Sequence, residues 1–218
     1  MTVHSFSSIS YFESCPRKYH QVKITKAFKE KPYQATELGL ILHSAFERTI
    51  MTGARLPDGL IQYQPEIDAL VKLPGIKQCE MKLAVAPNCS TCDYWDKGAA
   101  LRGAADFIHI DGDKALVVDF KTGKVNPKPD QLHVLALMLM QKYPHIKTVR
   151  GVLMFVEHKV LHTETYSSDA LMPMWAYWVQ KMKRINDCER TGIWPANQSG
   201  LCKAHCPVLS CEHNGANS

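Results

Sequence analysis

Residues 101–124, LRGAADFIHIDGDKALVVDFKTGK, limit the fold more than any other part of the chain. Phe107-Ile108-His109-Ile110 and Ala115-Leu116-Val117-Val118 are apolar and β-branched, and Asp111-Gly112-Asp113 between them is a turn signal. The stretch therefore predicts a β-hairpin. Side chains alternate along a strand with period two, so the turn decides which residues share a face. A loop of Asp111-Gly112 alone sets Asp106 opposite Val117, and a four-residue loop sets it opposite Asp119. Both leave Asp106, Asp119 and Lys121 on one face, whereas a three-residue loop reverses the parity. Two carboxylates on one face repel each other unless a cation lies between them, and a hard divalent ion bound by oxygens supplies one. Lys121, about 7 Å beyond Asp119 along the strand, is spaced to reach a water or phosphate at such an ion.

The remaining chain bounds the class. With 218 residues it is long enough for one domain with its own core, and 45% hydrophobic with 22% charged residues is ordinary for a soluble globular protein. No apolar run approaches the roughly 18 residues of a membrane span, and the polar N-terminus lacks a signal-peptide core. The expectation is an intracellular, cytoplasmic protein with no membrane partner. Against 21 acidic residues stand 26 basic ones, a formal charge of +5 that permits a polyanionic partner without requiring one. Eight cysteines in such a protein point to metal or cluster ligands rather than disulfides.

HSFSSISYFESCPRKYH reads as a short amphipathic helix capped by Ser7 or Ser8 and interrupted near Cys15-Pro16. Lys23, Lys26, Lys29 and Lys31 form a basic stretch that either faces water or meets a nucleic-acid backbone. Over 36–52, Leu38, Leu42, Ala45, Phe46 and Ile50 trace a helical stripe with His43 beside it. A strand over 78–85 carries Glu80, and Cys89-x-x-Cys92 in the following loop lacks the second pair that a zinc site needs. Beyond the hairpin, 128–143 is a helix apolar nearly all round, with Gln131 in its first turn; 148–166 gives two more strands. A last helix, over 169–190 and capped by Ser168, has Met174, Tyr177, Trp178, Met182 and Ile185 as its core stripe. Its Lys181, Lys183 and Arg184 face either a nucleic-acid channel or water. This order predicts an α/β protein with a mixed sheet flanked by helices. Cys202, Cys206 and Cys211 then crowd into ten residues without hydrophobic periodicity, so packing does not explain them. With Cys15 they make four thiolates, the number an iron-sulfur cluster requires, while His205 and His213 beside them keep a structural zinc open.

Gly103-x-x-Asp106 followed by Asp119-Phe120-Lys121-Thr122-Gly123 resembles the core of PD-(D/E)XK nucleases, in the version of RecB-type exonuclease domains and the CRISPR-associated nucleases related to them. The likeness extends to Gly39-x-x-x-His43, to Gln131, and to one cysteine near the start and three near the end. It implies a restriction-endonuclease-like core and a single nuclease domain over 1–218, with Cys15 and the cysteines of 202–211 forming a metal-cluster subdomain. By the same resemblance, His43, Asp106, Asp119 and the main-chain carbonyl of Phe120 hold one or two magnesium or manganese ions, with Glu80 as an additional carboxylate. Asp106, Asp119, Lys121 and Gln131 are the implied catalytic residues. Cys15, Cys202, Cys206 and Cys211 are the implied ligands of a 4Fe-4S cluster. The implied activity is metal-dependent hydrolysis of DNA, from its ends, in recombination, repair, replication or CRISPR adaptation, with the protein partners of such complexes. The chain departs from the pattern twice. Gln-x-x-x-Tyr reads Gln131-x-x-x-Leu135, and the tail cysteines are spaced C-x3-C-x4-C instead of C-x2-C-x5-C. The alternative is a non-catalytic DNA-binding scaffold subunit, which would be expected to lose the carboxylates or the lysine that are present here.

Overall fold

A computed structural model describes residues 2–30 and 35–217, so Lys31 of the basic stretch lies outside the described residues. Its centre is a five-stranded sheet in the order β1 (Ile76–Val85), β2 (Leu101–Asp111), β3 (Lys114–Lys121), β4 (Thr148–Phe155), β5 (Val160–Ser167). Neighbours are antiparallel except β3 and β4, which are parallel and joined by the crossover helix α5 (Asp130–Lys142). The fold is the expected α/β arrangement of a mixed sheet flanked by helices.

The central hairpin is longer than its apolar runs and turns on Gly112-Asp113, with Gly112 at φ 59°. Pairing of Asp111 with Lys114 and of Phe107 with Val118 fixes a register that, carried one step further, sets Asp106 opposite Asp119. This is the alignment of the four-residue-loop alternative, reached with a two-residue loop. Ile108, Ile110, Ala115 and Val117 face a core that also contains α5, while Phe107, Val118 and Phe120 face a second core under α3 (Ala35–Thr52) and α4 (Gln64–Val71). Alternation of apolar side chains on both faces is what a sheet covered by helices on two sides demands.

Helix α5 buries Leu132 and every residue from Val134 to Met140 because it lies between the sheet and two further helices, α1 (Phe6–Ser14) and α6 (Leu171–Thr191). Its close approach to β2 depends on Gly103. A Cβ there would sit 3.0 Å from Met138 Cε and 3.3 Å from Leu135 Cδ2. Leu135, where the resemblance leads one to expect tyrosine, is 1% exposed and fills this contact.

Several local expectations shift. Ser5, not Ser7 or Ser8, caps α1: its hydroxyl accepts from the Ser8 N–H while Ser8 Oγ accepts from the Ser5 N–H, a reciprocal pair that satisfies two N-terminal donors. Cys15 is extended, and Pro16 opens a second short helix, α2 (Pro16–Tyr19), where its missing N–H costs nothing. On α3, Leu42, Phe46 and Ile50 are buried, but Leu38 is 46% exposed. Before α6, Ser167 rather than Ser168 supplies the capping hydroxyl, to a 3-10 turn over Ser168–Ala170. Trp175 takes the core place expected of Tyr177, whose hydroxyl instead donates to Asp130. Lys181 is engaged too, 2.6 Å from Glu13 and 3.2 Å from Asp130, so it ties α6 to α1 and α5 instead of facing a channel.

The C-terminal tail returns to the start of the chain. The Arg17 N–H donates to the Pro195 carbonyl, Asn197 Nδ2 to the Ser14 carbonyl, and Trp194 stacks on Tyr19 and His20. Among the described residues, no helix is long and apolar enough to cross a membrane.

Candidate active site

At Asp106 the sheet changes its regular pattern. The β1–β2 ladder pairs Cys79 with Phe107 and Met81 with Ala105, while Glu80, between them, adopts φ 50°, a left-handed conformation rare for a residue with a side chain. Cys79 and Phe107 pack on the α3 side, yet Met81 and Ala105, two residues along, pack on the α5 side. The two strands thus exchange their faces at this point. The β2–β3 ladder also stops here, and Asp106 Oδ2 accepts the Phe120 N–H at 2.7 Å, taking the place of a strand carbonyl.

This break gathers the predicted residues. Ligand atoms of His43, Glu80 and Asp106 lie within 4.8 Å of one another. His43 comes from α3, where Nδ1 is 3.4 Å from Asp106 Oδ1 and Nε2 is 3.2 Å from the Phe120 carbonyl. With Nε2–H donating to that carbonyl, loss of the Nδ1 proton that faces Asp106 would turn the Nδ1 lone pair toward a cation held among the carboxylates. Beside this group is a second one. Lys121 Nζ is 2.6 Å from Asp119 Oδ2 and donates to Gln131 Oε1 at 2.7 Å, and Gln131 Nε2 in turn donates to Asp119 Oδ1. All seven residues named from the sequence, His43, Glu80, Asp106, Asp119, Phe120, Lys121 and Gln131, therefore meet at one end of β3.

The electrostatics are those of excess negative charge. Asp119 is 3% exposed, and burial followed by the nearby Asp106 charge lifts its carboxyl to about 6 in spite of Lys121. Burial and Asp106 also raise Glu80, while the hydrogen bond that the His43 ring donates to Asp106 holds this imidazole above its usual value. Cys79, beside the group, is pushed up to about 12 by burial and by Glu47, Glu80 and Asp106, so in the metal-free protein it is a thiol. The other donors are carboxylates, one imidazole and one carbonyl, the set that hard divalent ions take.

The left-handed backbone of Glu80 could not be read from its sequence, and it carries a prediction. Glycine in an ordinary strand costs about 0.5–1 kcal/mol. At Glu80 it relieves a conformation that costs other residues about 1–2 kcal/mol. Glu80→Gly is therefore expected to leave the melting temperature unchanged or slightly raised. A loss of stability larger than the ordinary glycine cost would refute the strain.

Cys15, Cys202, Cys206 and Cys211 line one small cavity with Arg17, Lys18, Asn197 and His213. The backbone N–H groups of Lys18 and Asn197 each donate to Cys15 Sγ at 3.4 Å, and that of Ser199 donates to Cys202 Sγ at 3.4 Å. The Arg17 guanidinium is 3.9 Å from Cys211 Sγ. Cys89 has no place in this group: it is buried at φ 67° and accepts from Gln141.

A hairpin with its two aspartates and lysine, a crossover helix carrying Gln131 and an α3 histidine define a nuclease fold. The chain belongs to the PD-(D/E)XK nuclease superfamily, whose family model matches residues 4–211. Among solved structures, a candidate exonuclease from Eubacterium rectale is similar to it at 14% identity and a TM-score of 0.53, over 99% of this chain and 88% of that one. The protein SSO0001 overlaps more loosely, at 13% identity and a TM-score of 0.44, over 96% and 84%. Among curated proteins, no sequence matches.

Proposed function

We propose that this protein is a metal-dependent DNA exonuclease, and the convergence of His43, Glu80 and Asp106 beside the Asp119–Lys121–Gln131 group is the observation that carries the reading. His43, Asp106, Asp119, the Phe120 carbonyl and Glu80 are the groups that would hold one or two magnesium or manganese ions. The raised pKa of Asp119 is in keeping with this: burial first and the Asp106 charge second disfavour its carboxylate, and a bound cation would offset both. When bound, such an ion supplies Lewis acidity, lowering the pKa of water and neutralising charge on the phosphorane-like transition state. Lys121 orients the attacking water and meets charge developing on the phosphate. Gln131 bridges Lys121 and Asp119, holding the ammonium against the carboxylate, and positions the water or the scissile phosphate. With Asp106, Asp119 and Lys121 all present and joined, a purely scaffolding role has no observation in its favour.

In the same reading, Cys15, Cys202, Cys206 and Cys211 hold a 4Fe-4S cluster. Two observations support it. The four thiols line one cavity, and backbone N–H groups point at two of their sulfurs as they do around clusters.

The test is digestion of end-labelled linear single- and double-stranded DNA and of closed circles, with magnesium or manganese. Linear DNA is expected to be degraded and circles spared, and Lys121→Ala to lower the rate at least about a hundredfold with DNA binding retained. Cleaved circles would replace the exonuclease reading with an endonuclease one. Undiminished cleavage by Lys121→Ala would remove the site assignment.

A further inference from the structure

Past the break at Glu80 and Asp106, β1 and β2 run on as a two-stranded arm that ends in a loop over 86–100. Met81, Leu83 and Val85 turn one face of the arm into the α5 core. Lys82 therefore points to the other face, the side from which α3 brings His43. On that face an aromatic pair projects from the loop. Trp95 is 67% exposed, and its ring is 4.9 Å from that of Tyr94, at 86° to it. Two cations from adjacent strands converge on the pair: Lys82 Nζ is 5.0 Å from the Trp95 ring centre and Arg102 Cζ is 5.3 Å from that of Tyr94. Among the described residues neither cation is ion-paired, so both keep donors for a phosphate. The two exposed acids of the loop are engaged by its own backbone: Asp93 accepts the Trp95 N–H and Asp96 the Gly98 N–H, each at 2.7 Å. Core packing does not account for Trp95. Its basic neighbours set it apart from a stray surface tryptophan, and one of them, Lys82, is two strand residues, about 7 Å, along β1 from Glu80.

We infer that Trp95 and Tyr94, with Lys82 and Arg102, form a stacking platform for unpaired nucleotides of the DNA strand that enters or leaves the His43–Glu80–Asp106 centre. The inference rests on the nuclease reading above for the identity of the strand. Its chemistry is that of sequence-independent single-strand binding: an aromatic face accepts any base, and flanking cations hold the phosphates. It makes the arm a positioning element that favours a frayed or single-stranded end over a blunt one.

The experiment uses the full chain in EDTA, where cleavage is off, and titrates it with a labelled oligo(dT) strand and with a blunt duplex. Of the four tryptophans, Trp95 is exposed while Trp175 and Trp178 are in the core and Trp194 is stacked against Tyr19 and His20, so fluorescence quenching reports mainly on Trp95. Oligo(dT) is expected to quench the wild type and to bind better than the duplex. Trp95→Ala should lose the quench and about 10-fold or more in affinity by anisotropy, with an unchanged melting curve, and Trp95→Phe should retain most of the affinity because a π-face suffices. Equal oligo(dT) affinity in wild type and Trp95→Ala would overturn the platform. If that variant also degrades linear DNA normally, the nuclease reading survives. Quenching by oligo(dT) in a protein that cleaves nothing with magnesium or manganese would leave the platform and remove the nuclease.

Discussion

Asp119→Asn is expected to abolish cleavage while raising the melting temperature of the metal-free protein by a few degrees. The carboxylate is buried at 3% exposure, next to Asp106, and its proton leaves only at about pH 6, against 3.8 for the unperturbed group. Two units correspond to roughly 3 kcal/mol, which is the upper limit of what the ionised carboxylate costs the folded state at pH 7.5. The amide keeps the shape and still accepts from Gln131, but carries no charge. The sign follows from linkage. With the folded pKa raised, wild-type stability is fully present below pH 3.8 and is lost as pH rises through about 6. The variant's advantage is therefore greatest above pH 6, shrinks between 6 and 3.8, and is absent below. At about 2–4 °C per kcal/mol for a chain of this size, scanning calorimetry in EDTA at pH 7.5 and pH 4.5 resolves it. Millimolar magnesium or manganese should close the gap, because a bound cation offsets in the wild type what asparagine removes. Cleavage of labelled DNA should fall at least about a hundredfold. A variant that melts lower than wild type at pH 7.5 would show that Asp119 serves the fold, and one that still cuts would remove it from the chemistry.

Cys15→Ser is the second large effect. Joining Cys15 to the tail through a cluster closes nearly the whole chain, and the loop-entropy rule puts the gain at roughly 5 kcal/mol for so long a loop. The contacts of Arg17, Asn197 and Trp194 already hold the tail against α1 and α2, so part of that constraint persists without the cluster. Anaerobically purified wild type is expected to be brown, with about four irons per chain. Cys15→Ser should be colourless and melt roughly 10 °C lower. The Asp106, Asp119 and Lys121 geometry is remote in sequence and should survive at low temperature, leaving residual cleavage. A colourless wild type with one zinc per chain would replace the cluster with the structural zinc, and an unchanged melting temperature would detach the cysteines from stability.

Leu135 shows how a departure from a family pattern is read only in three dimensions. Sequence alone registers a lost tyrosine near Gln131. In the fold, Leu135 packs against Gly103, so a small residue on β2 and a leucine on α5 form one close contact. Gln131, four residues earlier, still reaches Asp119 and Lys121 from the first turn of the helix.

Much of the centre was legible because it is local. Asp106, Asp119 and Lys121 sit on one hairpin, where period-two alternation and a Gly-containing turn fix their relation within a few residues. Gln131 follows in the next helix, and the apolar runs of β3, β4 and α5 state their burial outright. The tertiary structure decided what depends on neighbours distant in the chain. It turned Glu80 into a left-handed residue where two strands exchange faces, placed His43 over the Phe120 carbonyl, and gave Asp106 a backbone N–H to hold. It also brought Cys15 and the tail cysteines to one cavity and set Trp95 between Lys82 and Arg102. Sequence determines the kinds of groups a chain carries and their short-range order. The angle at which a strand breaks, and which charges then face each other, are fixed only when packing on both faces of the sheet leaves one arrangement without clashes or unpaired backbone.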